Sequence, residues 1–279
     1  MTDDLTIERR DATAIITLDR PDSLNSLSPA MIEGLPAAVA AAAADRSCRA
    51  IVITASGERA FCAGIDVKSV AARDAAGADG GLDPVVAAFE NLDAGLGNIV
   101  RMIHRVPVPV IAAVNGHAVG AGLAIAAASD LRLASTAATF ADGFVKRGIS
   151  GCEMGLSYFL PKLIGPALAF DLMLSGRRML ADEALRAGLV STVTEPGELL
   201  DRACELAEQL AENAPMALST TKEVMWTNLH APSLDAALAL EARNQVLIRS
   251  TADAAEARQS FLEKRPPSFG VPTGQRPLT

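Results

Sequence analysis

Residues 60–68 read Ala60-Phe61-Cys62-Ala63-Gly64-Ile65-Asp66-Val67-Lys68, and residues 115–130 run from Asn115-Gly116-His117 through Gly120-Ala121-Gly122 to Asp130. Each stretch is a strand-like approach, a glycine-containing turn, then a helix-like run. The first N–H groups of a helix have no intrahelical partner, so such a turn aims free backbone donors at one point. One such turn is an ordinary loop. Two that face each other would form an oxyanion hole from backbone alone. That predicts chemistry at a carbonyl, with charge developing on its oxygen.

These turns need a scaffold, and the chain can supply one. Its 279 residues are 50% hydrophobic, enough for one large α/β domain or a domain with an extension. The net charge of −8 argues against a nucleic-acid partner. Cys48, Cys62, Cys152 and Cys204 have neither CxxC nor metal-ligand spacing, so no metal is expected, and they read as reduced thiols of a cytoplasmic protein. The acidic start, Met1-Thr2-Asp3-Asp4, lacks the apolar run of a signal peptide. The most apolar stretch, Val106–Ala128, is broken by Pro107, Pro109, Asn115, Gly116 and His117, so no membrane span is expected.

Leu5–Arg10 and Ala14–Leu18 alternate like a hairpin around Asp11-Ala12. Ser28-Pro29 is an N-cap with proline at the first helical position. Met31, Ile32, Leu35 and Val39 then recur at helical spacing, which predicts a helix over Pro29–Ala44. Ala50–Thr54 is a buried strand, and Val108–Val114 followed by Gly122–Ala128 and Leu131–Ala134 repeats the pattern. Gly77–Asp83 reads as a loop, Pro84–Arg105 as helix, and Asp182–Ala187 as a short helix capped by Asp182 and stopped at Gly188. Beyond Val193 four helical patterns follow: Glu198–Asn213, Pro215–Leu229, Leu234–Ser250 and Ala252–Glu263. The expected division is residues 1–197 as an α/β core and 198–279 as a helical region whose apolar faces need a partner.

Five segments carry a resemblance. They are Leu18-Asp19-Arg20-Pro21 with Leu24-Asn25-Ser26-Leu27, the Phe61–Lys68 turn, the Asn115–Asp130 turn and helix, Gly188-Leu189-Val190, and Phe261-Leu262-Glu263-Lys264-Arg265. In this order, over almost the whole chain, they resemble the crotonase superfamily, the enoyl-CoA hydratase/isomerase proteins. The resemblance implies a spiral of repeated ββα units with a helical C-terminal region that covers an active site and builds a homotrimer or a dimer of trimers. It also implies an acyl-CoA substrate, with coenzyme A as part of the substrate and no separate cofactor. The oxyanion donors would be the N–H groups of Ile65 and Ala121. Pantetheine would lie against Asp22–Leu24 and the turn Ala60–Lys68, which contains Ala63, Gly64 and Asp66, with Gly120 at the second turn. Lys68, Lys264 and Arg265 are candidates for the CoA phosphates.

The acid/base positions depart from that pattern. A hydratase of this superfamily uses two glutamates about one water; the matching positions here are Ala124 and Phe144, and neither moves a proton. Asp142 lies two residues from the second. The loop Gly148–Gly155 resembles the one where dienoyl-CoA isomerases and naphthoate synthases carry a catalytic aspartate. It offers Glu153, at a one-residue offset, as the proton carrier. A glutamate near a helix start also serves as a plain capping charge. Burial near Phe144, Met154 and Tyr158 would raise its pKa and suit it to acid/base work. His117, Asp130 and Asp66 read as structural support, and Ser150 as a hydroxyl contact with no base. Three functions follow: proton transfer on an acyl-CoA (isomerisation, or atypical hydration), hydrolysis of a thioester or β-diketone, or acyl-CoA binding without turnover.

Overall fold

A computed structural model describes residues 3–69 and 83–270. Strands β1 (Leu5–Arg10) and β2 (Thr13–Leu18) form the antiparallel hairpin, turning at Asp11, whose φ is 51°. Helix α1 (Pro29–Ala44) begins where the cap signal put it: the Ser28 hydroxyl accepts from the Met31 N–H. It runs unbroken through Pro36.

One unit then repeats three times. The long strand β3 (Ala50–Ala55) leads to the short strand β4 (Ala60–Cys62); β5 (Val110–Val114) leads to β6 (His117–Val119); β7 (Leu131–Ser135) leads to β8 (Thr139–Ala141). Two more short strands, β9 (Met179–Leu180) and β10 (Thr192–Thr194), close the series. The longer strands and β10 make one sheet in the order β1-β2-β3-β5-β7-β10, parallel from β2 onward, and the other short ones make a second in the order β4-β6-β8-β9. Each repeat thus advances one strand in both sheets, which is the spiral of ββα units expected from the resemblance.

The first sheet is buried on both faces, as parallel sheets require. On one face Ile16, Ile51, Ile53 and Val110 share a core with Met31, Leu35 and Val39 of α1. On the other, Ile15, Val52, Ile111 and Leu133 meet Leu199, Ala203, Cys204 and Ala207 of α8 (Leu199–Ala211). Helix α8, the first α-helix after Val193, therefore forms a layer of the core. Between lie α2 (Pro84–Glu90), a π-helical turn at Asn91–Leu96 and α3 (Gly97–Arg105), then α4 (Ala121–Ala128), α5 (Leu156–Ile164), α6 (Pro166–Ser175) and α7 (Ala181–Ala187). Helix α7 is capped at Leu180 rather than Asp182, which sits in its first turn, where a carboxylate still complements the helix dipole. It ends at Gly188 with φ 80°, as predicted. The loop expected at Gly77–Asp83 lies outside the described residues up to residue 82.

Three further helices form an arm: α9 (Pro215–Asn228), α10 (Leu234–Arg249) and α11 (Ala252–Glu263). The arm is fixed to the core at Asp130. That carboxylate accepts from Lys222 Nζ at 2.7 Å, from Trp226 Nε1 at 2.8 Å and from the Val110 N–H at 2.8 Å. Asp130 is therefore the structural support expected of it. Beyond α9 the burial stops: no residue of α10 is buried, and Ser260 is the buried residue of α11. No described helix is long and apolar enough to cross a membrane.

Candidate active site

The site is built where β4, β6 and β8 end side by side. Parallel pairing of β4 with β6 and of β6 with β8 brings three turns into one row: Ala63-Gly64-Ile65, Gly120-Ala121, and Asp142-Gly143-Phe144. Close approach of the first two turns depends on glycine. A Cβ on Gly122 would lie 2.2 Å from the Cys62 carbonyl oxygen, and one on Gly64 would lie 3.3 Å from that of Val119. Gly64 and Gly120 also have φ of 103° and 55°, in the left-handed region that favours glycine.

Among the described residues, the two expected donors are both free of backbone partners, for a local reason. Ala121 is the first residue of α4, so its N–H has no carbonyl one turn back. Ile65 bridges Leu27 in parallel register: the Leu27 N–H donates to Gly64 and the Asp66 N–H donates to Leu27. This pattern turns the N–H of Ile65 away from Leu27.

A polar clamp holds the first turn, and sequence spacing gave no sign of it. Arg20 donates to the Ser26 carbonyl at 2.7 Å and to Asp66 Oδ2 at 3.0 Å, across 46 residues. Buried Asn25 accepts from the Arg20 N–H and donates to the carbonyls of Ser56 and Ala60. Burial works against an ionised Asp66, but hydrogen bonds from Arg20 and Ser69 outweigh it and hold the carboxyl below its usual range. Its Oδ1 also caps the N–H groups of Lys68 and Ser69, so Asp66 does open a helical turn as expected. The Ala63 N–H donates to the Leu24 carbonyl at 3.0 Å, so the Asp22–Leu24 segment does lie against the Ala60–Lys68 turn.

The other expected contacts divide. Phe144 is buried and leans on the second turn, with its ring edge 3.1 Å from where a Gly120 Cβ would be. Ala124 is fully buried inside α4. Lys68 and Lys264 are exposed, at the first turn and at the end of the arm, and no ion pair holds either among the described residues. Arg265 is engaged by Glu256 and Glu263. Ser150 accepts from the Cys152 N–H in a local turn. His117 Nδ1 meets Thr139 Oγ1 at 2.8 Å, a structural pairing between β6 and β8. Burial pushes the Cys62 thiol up to about 12, which makes it inert as a nucleophile.

Glu153 sits in the loop that precedes α5, not in the first turn of that helix. Its carbonyl accepts from the Leu156 N–H, and the helix is capped by Gly155 with no side-chain cap. The half-buried carboxylate makes no hydrogen bond or ion pair among the described residues, so it is not a capping charge. Burial, then the neighbouring Asp142, raises its pKa. Met154 beside it is buried, whereas the Tyr158 hydroxyl is engaged by His230. A cleft of about 730 Å³ between α3, α5 and α9, lined by His104, Tyr158, Pro215, Lys222 and Trp226, includes none of the three turns. It is separate from the site built above.

The sequence profile described as enoyl-CoA hydratase/isomerase matches residues 8–272. A protein named probable enoyl-CoA hydratase, from Mycobacterium tuberculosis, is 38% identical over 270 residues, covering 93% of this chain and 90% of its own. The short-chain-enoyl-CoA hydratase of Clostridium acetobutylicum is 33% identical, covering 93% and 94%. A crystal structure titled as a probable enoyl-CoA hydratase/isomerase from Mycobacterium abscessus superposes with a TM-score of 0.87 at 33% identity, over 97% of this chain and all of that one. Profile, relatives and spiral agree: this chain belongs to the enoyl-CoA hydratase/isomerase family of the crotonase superfamily.

Proposed function

We propose that the protein moves a proton on an acyl-CoA thioester, with Glu153 as the carrier, and that double-bond isomerisation is its main reaction. The thioester oxygen accepts from the N–H groups of Ile65 and Ala121. Glu153 takes a proton from the carbon next to the thioester of a 3-enoyl-CoA. The electron pair moves onto the thioester oxygen as an enolate, and the two N–H groups stabilise it. The same carboxyl then returns the proton two carbons further on, and a 2-enoyl-CoA results. One carboxyl suffices for this cycle, whereas hydration with the family's paired glutamates needs two. The observation that carries the reading is the free, half-buried Glu153 carboxylate, which does not cap its helix, in a chain with Ala124 and Phe144 at the usual acid/base positions.

The test is a panel of saturated, 2-enoyl, 3-enoyl and dienoyl CoA thioesters, assayed for binding and turnover. Turnover of the 3-enoyl or dienoyl ester, exceeding any hydration of the 2-enoyl ester, is the expected outcome. Release of free CoA would instead favour a hydrolase, and tight binding without turnover a binding protein. The pantetheine would follow Asp22, Leu24, Ala60, Ala63 and Gly64, and Lys68 or Lys264 would meet the CoA phosphates. The four unpaired cysteines fit work in a reducing cytoplasm.

A homotrimer, or a dimer of trimers, belongs to the same reading. Phe261 and Leu262 on α11 are 82% and 75% exposed, and Leu234, Val246 and Leu247 on α10 are also open to solvent. An apolar surface of this extent is uncommon on a monomer. Light scattering at micromolar concentration is expected to give three or six times the chain mass; the mass of one chain would contradict it.

A further inference from the structure

Asp142 is the most anomalous carboxyl among the described residues. It is fully buried at the end of β8, and neither of its oxygens has a well-aligned hydrogen-bond donor. The amides of Phe144 and Val145 approach it only loosely. A buried carboxylate without partners is costly, and a protein retains one only against that cost. The loop that carries Glu153 is folded directly over it. A Cβ on Gly151 would lie 2.6 Å from Asp142 Oδ2, so only glycine lets the loop come this close. The Glu153 N–H then turns back to the Gly151 carbonyl at 3.0 Å, which fixes Glu153 two residues from that contact.

Resting on the proposed role of Glu153, we infer that Asp142 is its buried electrostatic partner: the two carboxyls ionise one after the other, and the charge on Asp142 holds Glu153 back, so that Glu153 becomes a base at a higher pH than it would alone. Asp142 does not touch substrate. It acts through Glu153 and is a positioning residue in the electrostatic sense. Two carboxyls in one low-dielectric site cannot both ionise easily, so the pair titrates in two separated steps. Burial alone already pushes Asp142 up to about 6. No cation competes for the pair among the described residues. On the turn after Asp142, Lys146 and Arg147 are exposed; on the first turn, Asp66 is held by Arg20; on β6, His117 is held by Thr139; and α4 carries no charged side chain. Glu153 feels Asp142 as its one neighbouring charge of note.

The sign of the effect is fixed. Replacing Asp142 by a neutral isostere removes the negative charge that resists ionisation of Glu153. The limb of the kcat/KM profile governed by Glu153 should therefore move to lower pH, by about one unit, the ordinary size of a neighbouring-charge shift. This holds whether Glu153 works as acid or base. The experiment is the pH profile of the Asp142→Asn protein beside wild type, with KM at the optimum expected to stay within about twofold. An unmoved limb overturns the inference. Carboxyl carbon-13 titration of the wild type and of Asp142→Asn reads the same coupling on Glu153 itself, without turnover. Glu153 should titrate about one unit lower in Asp142→Asn; an unchanged Glu153 midpoint also overturns it. Failure of the Glu153 reading itself looks different: Glu153→Gln would then turn over at the wild-type rate.

Discussion

Glu153→Gln is expected to lower turnover of the best 3-enoyl or dienoyl substrate by roughly 10²–10⁴-fold, with little change in KM. The substitution keeps the size and most of the hydrogen-bonding capacity of the side chain and removes only the titrating proton. The thioester would still bind to the turns and polarise at the Ile65 and Ala121 N–H groups, so the loss should fall on kcat. Among the described residues, no second carrier is poised for the work. Ala124 and Phe144 are buried and carry no proton, Asp142 is fully buried, and Asp66 is committed to Arg20. Since no side chain caps α5, this variant should unfold at the wild-type temperature, which separates lost chemistry from lost structure. A wild-type rate from Glu153→Gln would remove the proton-transfer mechanism proposed here.

What could be read from the sequence follows the range of the interactions. The hairpin, α1 with its Ser28 cap, and the four helices after Val193 are set by local periodicity and local caps, and they formed within a residue or two of expectation. The two turns were legible for the same reason: a free N–H at a helix start is a property of a few consecutive residues. The misses are local competitions or distant contacts. Leu180 displaced Asp182 as the cap of α7 because the chain there continues directly from β9. A π-helical turn at Asn91–Leu96 interrupts the helix expected over Pro84–Arg105. The Arg20–Asp66 clamp joins residues 46 apart, and no spacing rule links them. Asp142 drew notice only as a neighbour of a family position. Its isolation depends on the Gly148–Gly155 loop folding back over β8, which is a tertiary fact. The capping role weighed for Glu153 needed it within the first turn of the helix. The helix begins at Leu156, and that removes it.

Gly122→Ala should be the most damaging single-methyl change among the described glycines, and it tests the paired turns independently of Glu153. The added Cβ would stand 2.2 Å from the Cys62 carbonyl oxygen and 2.9 Å from the Cys62 Cβ. Both distances fall roughly 1 Å inside ordinary contact. Neither obstacle is a flexible tip: the first is backbone at the end of β4, the second is one bond from it. Relief therefore requires α4 and β4 to separate. Ile65 lies three residues beyond Cys62 and Ala121 one residue before Gly122, so separation moves one proposed oxyanion donor against the other. A misplacement of about 1 Å near reacting atoms costs on the order of 10²-fold in rate, and loss of one donor as much as 10³-fold. The expected kcat is thus lower by about 10²–10³-fold, with overpacking costing a further ~1–3 kcal/mol of stability. Gly197→Ala is the matched control, since a Cβ there meets nothing within 4 Å and its backbone is not in the left-handed region. It should leave rate and melting temperature unchanged. Rates must be taken well below the unfolding transition, so that the remaining deficit belongs to geometry. If folded Gly122→Ala keeps the wild-type kcat, the two turns do not act together on the thioester oxygen, and the polarising group must be sought elsewhere.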